Sequence, residues 1–457
     1  MQKKVIIIGG GLAGLSAACL AVQRGLRVDL YEQNPRPGGN SRSTSIQGFE
    51  FDHNPKIFPA PYLLDALIKS SSESNPVSRQ FQSIIPATKL FFADGMRMQY
   101  LSELSLKEGN LETQDILTLK GERAFQKIEA VLQDVLSSSS GKKKPIWQRF
   151  LGERPIDLHK PLMPYLQQLS TDPYFQQSML TLSAMTGIPI STLQIRDLFL
   201  PALMRKSGLF SPKQGWEVVV NTLLAYLAHA GVKILTNRKV TEILNPQKNV
   251  LGIRLDDQSQ HWADAILNTT SSMAPAHLQY RDTQAMMIYH LGLKQTPGLN
   301  ALTYHNVLIL NGNHKKWNSQ KPLSSTWLPD YLYLYQPTQD NPSLTPSGRS
   351  LLSIKIPLPD TGITYREKEM IRLNILAALE QSFLPDLKET IEMEHSAFMG
   401  QESQADKLNS RKMSSAYPIW RTTSNKLVHL HQYYDNRRPS TPAILFAVQR
   451  WIENLIL

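Results

Sequence analysis

The chain opens on a β-branched run, Val5–Ile8, followed by three glycines and an apolar stretch over 14–25 that closes at Gly25. A short apolar run followed by helical spacing predicts strand, turn and helix. A second strand pattern over 27–32 completes a βαβ unit. Residues 62–210 read as mainly helical, punctuated at Ser137–Gly141 and by several prolines. Strand patterns return at Val232–Leu235, Val240–Ile243, Val250–Leu255 and Ala263–Asn268, and residues 286–358 are again β-rich. Helices are expected over 365–384 and 442–457.

Nucleotide-type segments at the start and near 208–270 are separated by other material, which predicts an α/β fold with domains woven from alternate pieces of chain. The expected division is a Rossmann-type domain from 1–75, 205–275 and 410–457. A mainly helical lid or membrane-facing region spans 76–204, and a β-sheet substrate-binding domain spans 276–409.

At 457 residues the chain is long enough for two or three domains, and a 41% hydrophobic content supports a large core. Charged residues make up only 19%, against roughly 25% in an average soluble chain. That deficit fits a large interior, an apolar cavity or a surface that meets lipid. The net charge of +11 favours anionic partners, but its basic residues are scattered and no nucleic-acid motif is present. The single cysteine, Cys19, excludes an intramolecular disulfide framework and sits in an apolar helical stretch, where packing is its expected role. Residues 5–22 carry no charge, as a signal peptide or membrane span would. Three consecutive glycines and the strand that follows argue instead for a folded βαβ unit, so no transmembrane helix is expected.

Gly9, Gly11 and Gly14 form G-x-G-x-x-G between the predicted strand and helix. The first permits a tight turn, the second lets backbone approach a pyrophosphate, and the third allows close helix–strand packing. The helix N-terminus, from Leu12 and Ala13, offers free N–H groups and a partial positive charge to the phosphates. Glu32 ends the second strand 18 residues after Gly14 (32 − 14), where an acid accepts ribose hydroxyls and disfavours a 2′-phosphate. Dinucleotide binding follows; FAD and NAD remain open on these residues alone.

The stretch Pro37-Gly38-Gly39 followed by Gly48–Asp52 (GFEFD) resembles the FAD signature of flavoprotein amine oxidases, with Arg42 inside it. Residues 207–243 resemble a Gly-aromatic-x-Pro-x-x-Gly segment of the phytoene desaturase family of carotenoid enzymes. Residues 335–359 (YQPTQDNPSLTPSGRSLLSIKIPLP) resemble a segment that sets those desaturases apart from other amine oxidases, and 298–310 add support. The resemblance implies noncovalent FAD, with Gly9, Gly11, Leu12, Ala13, Gly14, Glu32, Gly38, Gly39 and Arg42 at the dinucleotide and Val240 on its adenine. It implies dehydrogenation of a long apolar isoprenoid or lipid-like substrate, or its isomerisation or reduction. The expected location is cytoplasmic, with peripheral membrane contact through basic and apolar helices in 144–210, including Trp147, Phe150, Phe199 and Phe210.

Two departures stand out. Asn54 occupies a position where the family has glycine, and 431–451 lacks the family's glycine-rich loop and carries Arg437 and Arg438 instead. A flavin amine oxidase, and a catalytically silent relative acting as lipid carrier or partner subunit, are the alternatives. No catalytic residue is assigned from sequence. No metal site is expected, since His429 and His431 lack a third ligand.

Overall fold

A computed structural model describes residues 2–54, 57–68, 77–103, 126, 157–185, 187–247, 250–270, 285–294, 297–313, 327–358, 364–399 and 427–429. Strands are numbered β1–β19 along the chain.

The Rossmann sheet is parallel, in the order β19-β13-β1-β2-β9. It joins β1 (Lys4–Ile8), β2 (Arg27–Tyr31), β9 (Lys233–Leu235), β13 (Ala265–Asn268) and β19 (Leu427–His429), so three separated stretches of chain supply it. Helix α1 (Leu12–Gln23) and the helix Trp216–His229 bury one face of the sheet, with Leu15, Cys19, Trp216 and Leu223 fully enclosed. Burial pushes the Cys19 thiol up to about 12, which leaves it a packing residue as the sequence suggested. On the other face Ile6, Ile8 and Ile266 pack under an antiparallel layer of β10 (Val240–Gln247), β11 (Val250–Leu255) and β12 (Gln260–Ala263).

Two further two-stranded antiparallel sheets are present: the hairpin of β3 (Ser43–Ile46) with β4 (Phe49–Asp52), and the long-range pair of β5 (Phe81–Ser83) with β8 (Phe210–Pro212). The second sheet has seven strands in the order β18-β14-β17-β16-β15-β6-β7. They are β6 (Thr88–Phe91), β7 (Arg97–Tyr100), β14 (Met286–Lys294), β15 (His305–Ile309), β16 (Tyr331–Tyr335), β17 (Arg349–Pro357) and β18 (Ile391–Met399). Strand β14 is buried at every position but its last because both sheet faces are covered. One face packs on the helix Tyr365–Ser382, whose start is fixed by a capping box between Thr364 and Glu367. The other packs on the helices Leu162–Leu169, Pro173–Ala184 and Phe199–Ser207.

The stretch 62–210, read as mainly helical, also contains β5, β6 and β7. The latter two extend the seven-stranded sheet through a parallel pairing of β6 with β15, more than two hundred residues away (Lys89 with Asn306). Four-residue strands carry too little periodicity to be separated from helix by pattern alone.

Candidate dinucleotide site and the adjoining sheet

The glycine turn is built as its spacing predicts. Gly9 has φ of +101°, and its N–H donates to the Tyr31 carbonyl at 2.8 Å. A side chain at Gly14 would meet the Gly9 carbonyl oxygen at 1.9 Å, so helix and strand meet there backbone to backbone. Gly11 differs: no atom lies within 4 Å of the place a Cβ would take. It is also the N-cap of α1, with extended backbone and no side-chain cap. No side chain caps the first N–H groups of α1, and the space beside Gly11 is open.

Gly38 and Gly39 close the turn from the other side. The Gly38 N–H donates to the Gly10 carbonyl at 2.7 Å, and a Cβ on Gly39 would stand 3.3 Å from Gly11 Cα. Both have positive φ, at +118° and +53°.

Glu32 is 5% exposed. Its Oε2 accepts the Gly10 N–H at 2.6 Å, while Oε1 accepts the backbone and side-chain N–H groups of Asn34, both at 2.8 Å. A carboxylate offers about four lone-pair sites, so one remains for a ribose hydroxyl. Val240 begins β10 nearby and is buried against Ile6, Ile8 and Tyr31. The chain is drawn to this end of the sheet by the Arg238 N–H, which donates to the Glu32 carbonyl at 2.9 Å.

The Arg42 side chain lies against Gly38, with its Cγ 2.7 Å from that glycine's Cβ position. Among the described residues its buried Nε has no hydrogen-bond partner. A buried cationic donor without an acceptor, beside an uncapped helix start, suits an anion. The turn, the helix terminus and this arginine therefore fit the pyrophosphate of a dinucleotide.

From Arg42 the chain runs into the hairpin β3–β4 and on to the seven-stranded sheet. Ser43 Oγ donates to Asp52 Oδ1 at 2.7 Å, and the same oxygen accepts the Trp216 N–H at 3.1 Å. That link ties the hairpin to the turn at Gly215. Phe51 stacks on His290 with ring centroids 4.3 Å apart, and His290 stacks on His395 at 6.1 Å. His53 hydrogen-bonds Thr44 Oγ1 through Nε2, and burial, Arg42 and His395 together lower its pKa. A cleft between hairpin and sheet is lined by Asp52, Gly215, Tyr304, Tyr335, Leu351 and Ser353 among others.

Sequence reading missed Asn34, which braces Glu32, and Thr269, whose Oγ1 donates to the Ile8 carbonyl at 2.8 Å and fills the space beside Gly9. It also missed the histidines of the sheet. Arg437, Arg438, His431, Trp147, Phe150 and Lys142–Lys144 lie outside the described residues. Among the described residues no helix is long and apolar enough to cross a membrane.

Residues 7–68 match the NAD(P)-binding Rossmann-like domain family. Along its length the chain is 26% identical over 432 residues to the 4,4'-diaponeurosporene oxygenase of Staphylococcus aureus, covering 86% of this chain and 83% of that one. It is 23% identical over 414 residues to the lycopene-forming phytoene desaturase of Pseudescherichia vulneris, covering 85% and 83%. The resemblance to phytoene desaturases is borne out. In fold the chain matches a putrescine oxidase structure with a TM-score of 0.64 at 13% identity, covering 100% of this chain and 99% of that one. It also matches an oxidoreductase from Methanosarcina mazei with a TM-score of 0.62 at 16% identity, over 98% and 100%. The desaturase-like chain thus carries a Rossmann-like nucleotide domain in an oxidoreductase fold, as the α/β reading expected.

Proposed function

We propose that this protein is an FAD-dependent, desaturase-like oxidoreductase acting on a long apolar isoprenoid. The observation that carries the reading is the open cradle at Gly11, between a helix terminus with no side-chain cap and an Arg42 Nε that has no partner among the described residues. Whole-chain similarity to a phytoene desaturase supports FAD over NAD and an isoprenoid over an amine. Leu12 and Ala13 N–H groups and Arg42 hold the pyrophosphate, and Glu32 receives a ribose hydroxyl. Gly9, Gly14, Gly38 and Gly39 let the backbone close around it, and Val240 packs on the adenine. When bound, FAD would supply a hydride acceptor for dehydrogenation.

The protein's own contribution is orientation and exclusion of water. The sheet face carrying Val307, Ile309, Tyr331, Tyr333 and Tyr335 is enclosed by the helices of 162–207. We divide the chain accordingly into a nucleotide domain around the parallel sheet and a substrate domain around the seven-stranded one. Contact with a membrane surface belongs to the region 144–210.

The test is direct. Purified protein carries noncovalent FAD and, given a polyene such as phytoene, releases a more conjugated product. A colourless protein that takes up no FAD overturns the reading and leaves the silent lipid carrier in its place.

A further inference from the structure

One transverse row of polar side chains crosses the substrate sheet on a single face. His395 pairs with His290, His290 with Ser353, Ser353 with Tyr335, and Tyr335 with His305. Thr88 continues the row through a 2.8 Å hydrogen bond to His305 Nδ1. Side chains directly opposite on neighbouring strands share a face, so the six form one strip. On the same face the rows to one side carry Val307, Ile309, Tyr331 and Met286, which belong to an apolar core, and Lys355, whose Nζ lies 5.7 Å from the centre of the Tyr335 ring. The middle of the strip, Ser353 and Tyr335, floors the cleft beside Asp52 and Tyr304.

The chemistry of His305 makes the strip specific. The Thr88 hydroxyl donates to the Ala87 carbonyl at 2.8 Å, which uses its one proton. The tautomer that satisfies both contacts at once has the hydrogen of His305 on Nδ1, donating to the Thr88 oxygen. Burial holds the ring neutral, with its pKa lowered to about 3. Nε2 is then a bare lone pair. His305 is 0% exposed, and among the described residues Nε2 has no partner. The ring lies 5.0 Å from that of Tyr335, centroid to centroid. A hydrocarbon would leave this acceptor unpaired, whereas an O–H group satisfies it.

We propose that this sheet binds an isoprenoid bearing a hydroxyl group, with the hydroxyl seated on the polar strip and donating to His305 Nε2. The inference rests on the isoprenoid reading above and narrows it to alcohols. A ketone or ether lacks the proton that Nε2 requires.

The experiment compares geranylgeraniol with the hydrocarbon that lacks only its hydroxyl, by titration of the purified full chain and tryptophan fluorescence. The alcohol is expected to bind at least tenfold more tightly. His305→Phe keeps an aromatic ring but removes the acceptor, and should bring the alcohol down to the hydrocarbon's affinity. His305→Gln retains an acceptor oxygen and should restore part of the preference, which guards against a variant that folds poorly. Equal affinities in the unaltered protein, as when a water serves Nε2, overturn the proposal. So do an alcohol preference that survives His305→Phe and a failure to bind either compound. The titration does not read flavin chemistry, so its failure is distinct from the absence of FAD that would overturn the proposed function.

Discussion

Glu32 Oε2 accepts the Gly10 N–H at 2.6 Å, so the acid that the sequence aims at a ribose is first a brace for the glycine turn itself. Its other oxygen is held by Asn34. Glu32→Ala should therefore lower stability before any ligand is added, because the Gly10 and Asn34 N–H groups lose a charged acceptor in a buried setting. Hydrogen bonds to charged groups contribute about 1.5–3 kcal/mol each, with a partly solvated site at the low end. Thermal melts of flavin-free protein measure this. A melt identical to that of the unaltered protein would show that Glu32 serves the ligand alone.

Two glycines of one fingerprint should fail in opposite ways. Gly14→Ala places a methyl 1.9 Å from the Gly9 carbonyl oxygen, so helix and strand must separate, and the flavin-free protein should melt far lower or not fold. Gly11→Val has open space and an extended backbone with φ of −71°. It should fold at a cost of about 0.5–2 kcal/mol, the usual range for losing a favoured N-cap residue, yet bind no FAD, because its side chain occupies the pyrophosphate cradle. Retention of flavin absorbance by Gly11→Val would move the phosphates away from this turn.

Arg42→Met should change sign with ligand. Without flavin, the variant removes a buried donor that has no partner among the described residues, while the methionine stem still covers Gly38. Replacing an unsatisfied polar group with an apolar one of similar shape is neutral or stabilising. With flavin, the same change should cost about 1.5–3 kcal/mol of FAD affinity, as expected for a charge-assisted bond to phosphate. Isothermal titration alongside melts with and without FAD separates the two. Unchanged affinity would assign Arg42 to the hairpin alone.

The difference between what was legible and what was not follows sequence separation. Gly9, Gly11, Gly14 and Glu32 act through local geometry, since strand, turn and helix fix their relation within some thirty residues. Gly38 and Gly39 were visible as a turn, but their pairing with Gly10 and Gly11 depends on a loop folding back. The polar strip was invisible because it is a property of register. His290 and His305 sit in runs that read simply as buried strand, and only the pairing of β14, β17, β16 and β15 brings them into one row. Asp52 was recognised as the end of a signature, while its hold on the Trp216 N–H, 164 residues away, has no local trace.

The two buried histidines of that row should make stability fall on acidification. Burial lowers the pKa of His290 to about 3, helped by His395 and His53, and lowers that of His305 to about 3, helped by Lys355. An unfolded histidine titrates near 6.5. Between those values the unfolded chain binds protons that the folded chain does not, so stability rises with pH across the window. The contribution is fully present above about pH 6.5 and is lost progressively as pH falls toward 3. Each histidine adds at most one proton to the difference, or about 1.4 kcal/mol per pH unit. Paired carboxylates add their own acid dependence lower in the range, below about pH 5. The distinguishing interval is therefore pH 5 to 6.5, with urea unfolding at several pH values as the measurement. His290→Gln and His305→Gln together should flatten the slope there by up to two protons, with each single variant giving about half. A slope unaltered in both would mean that these rings take up protons in the folded protein, with their neighbours moving to admit the charge.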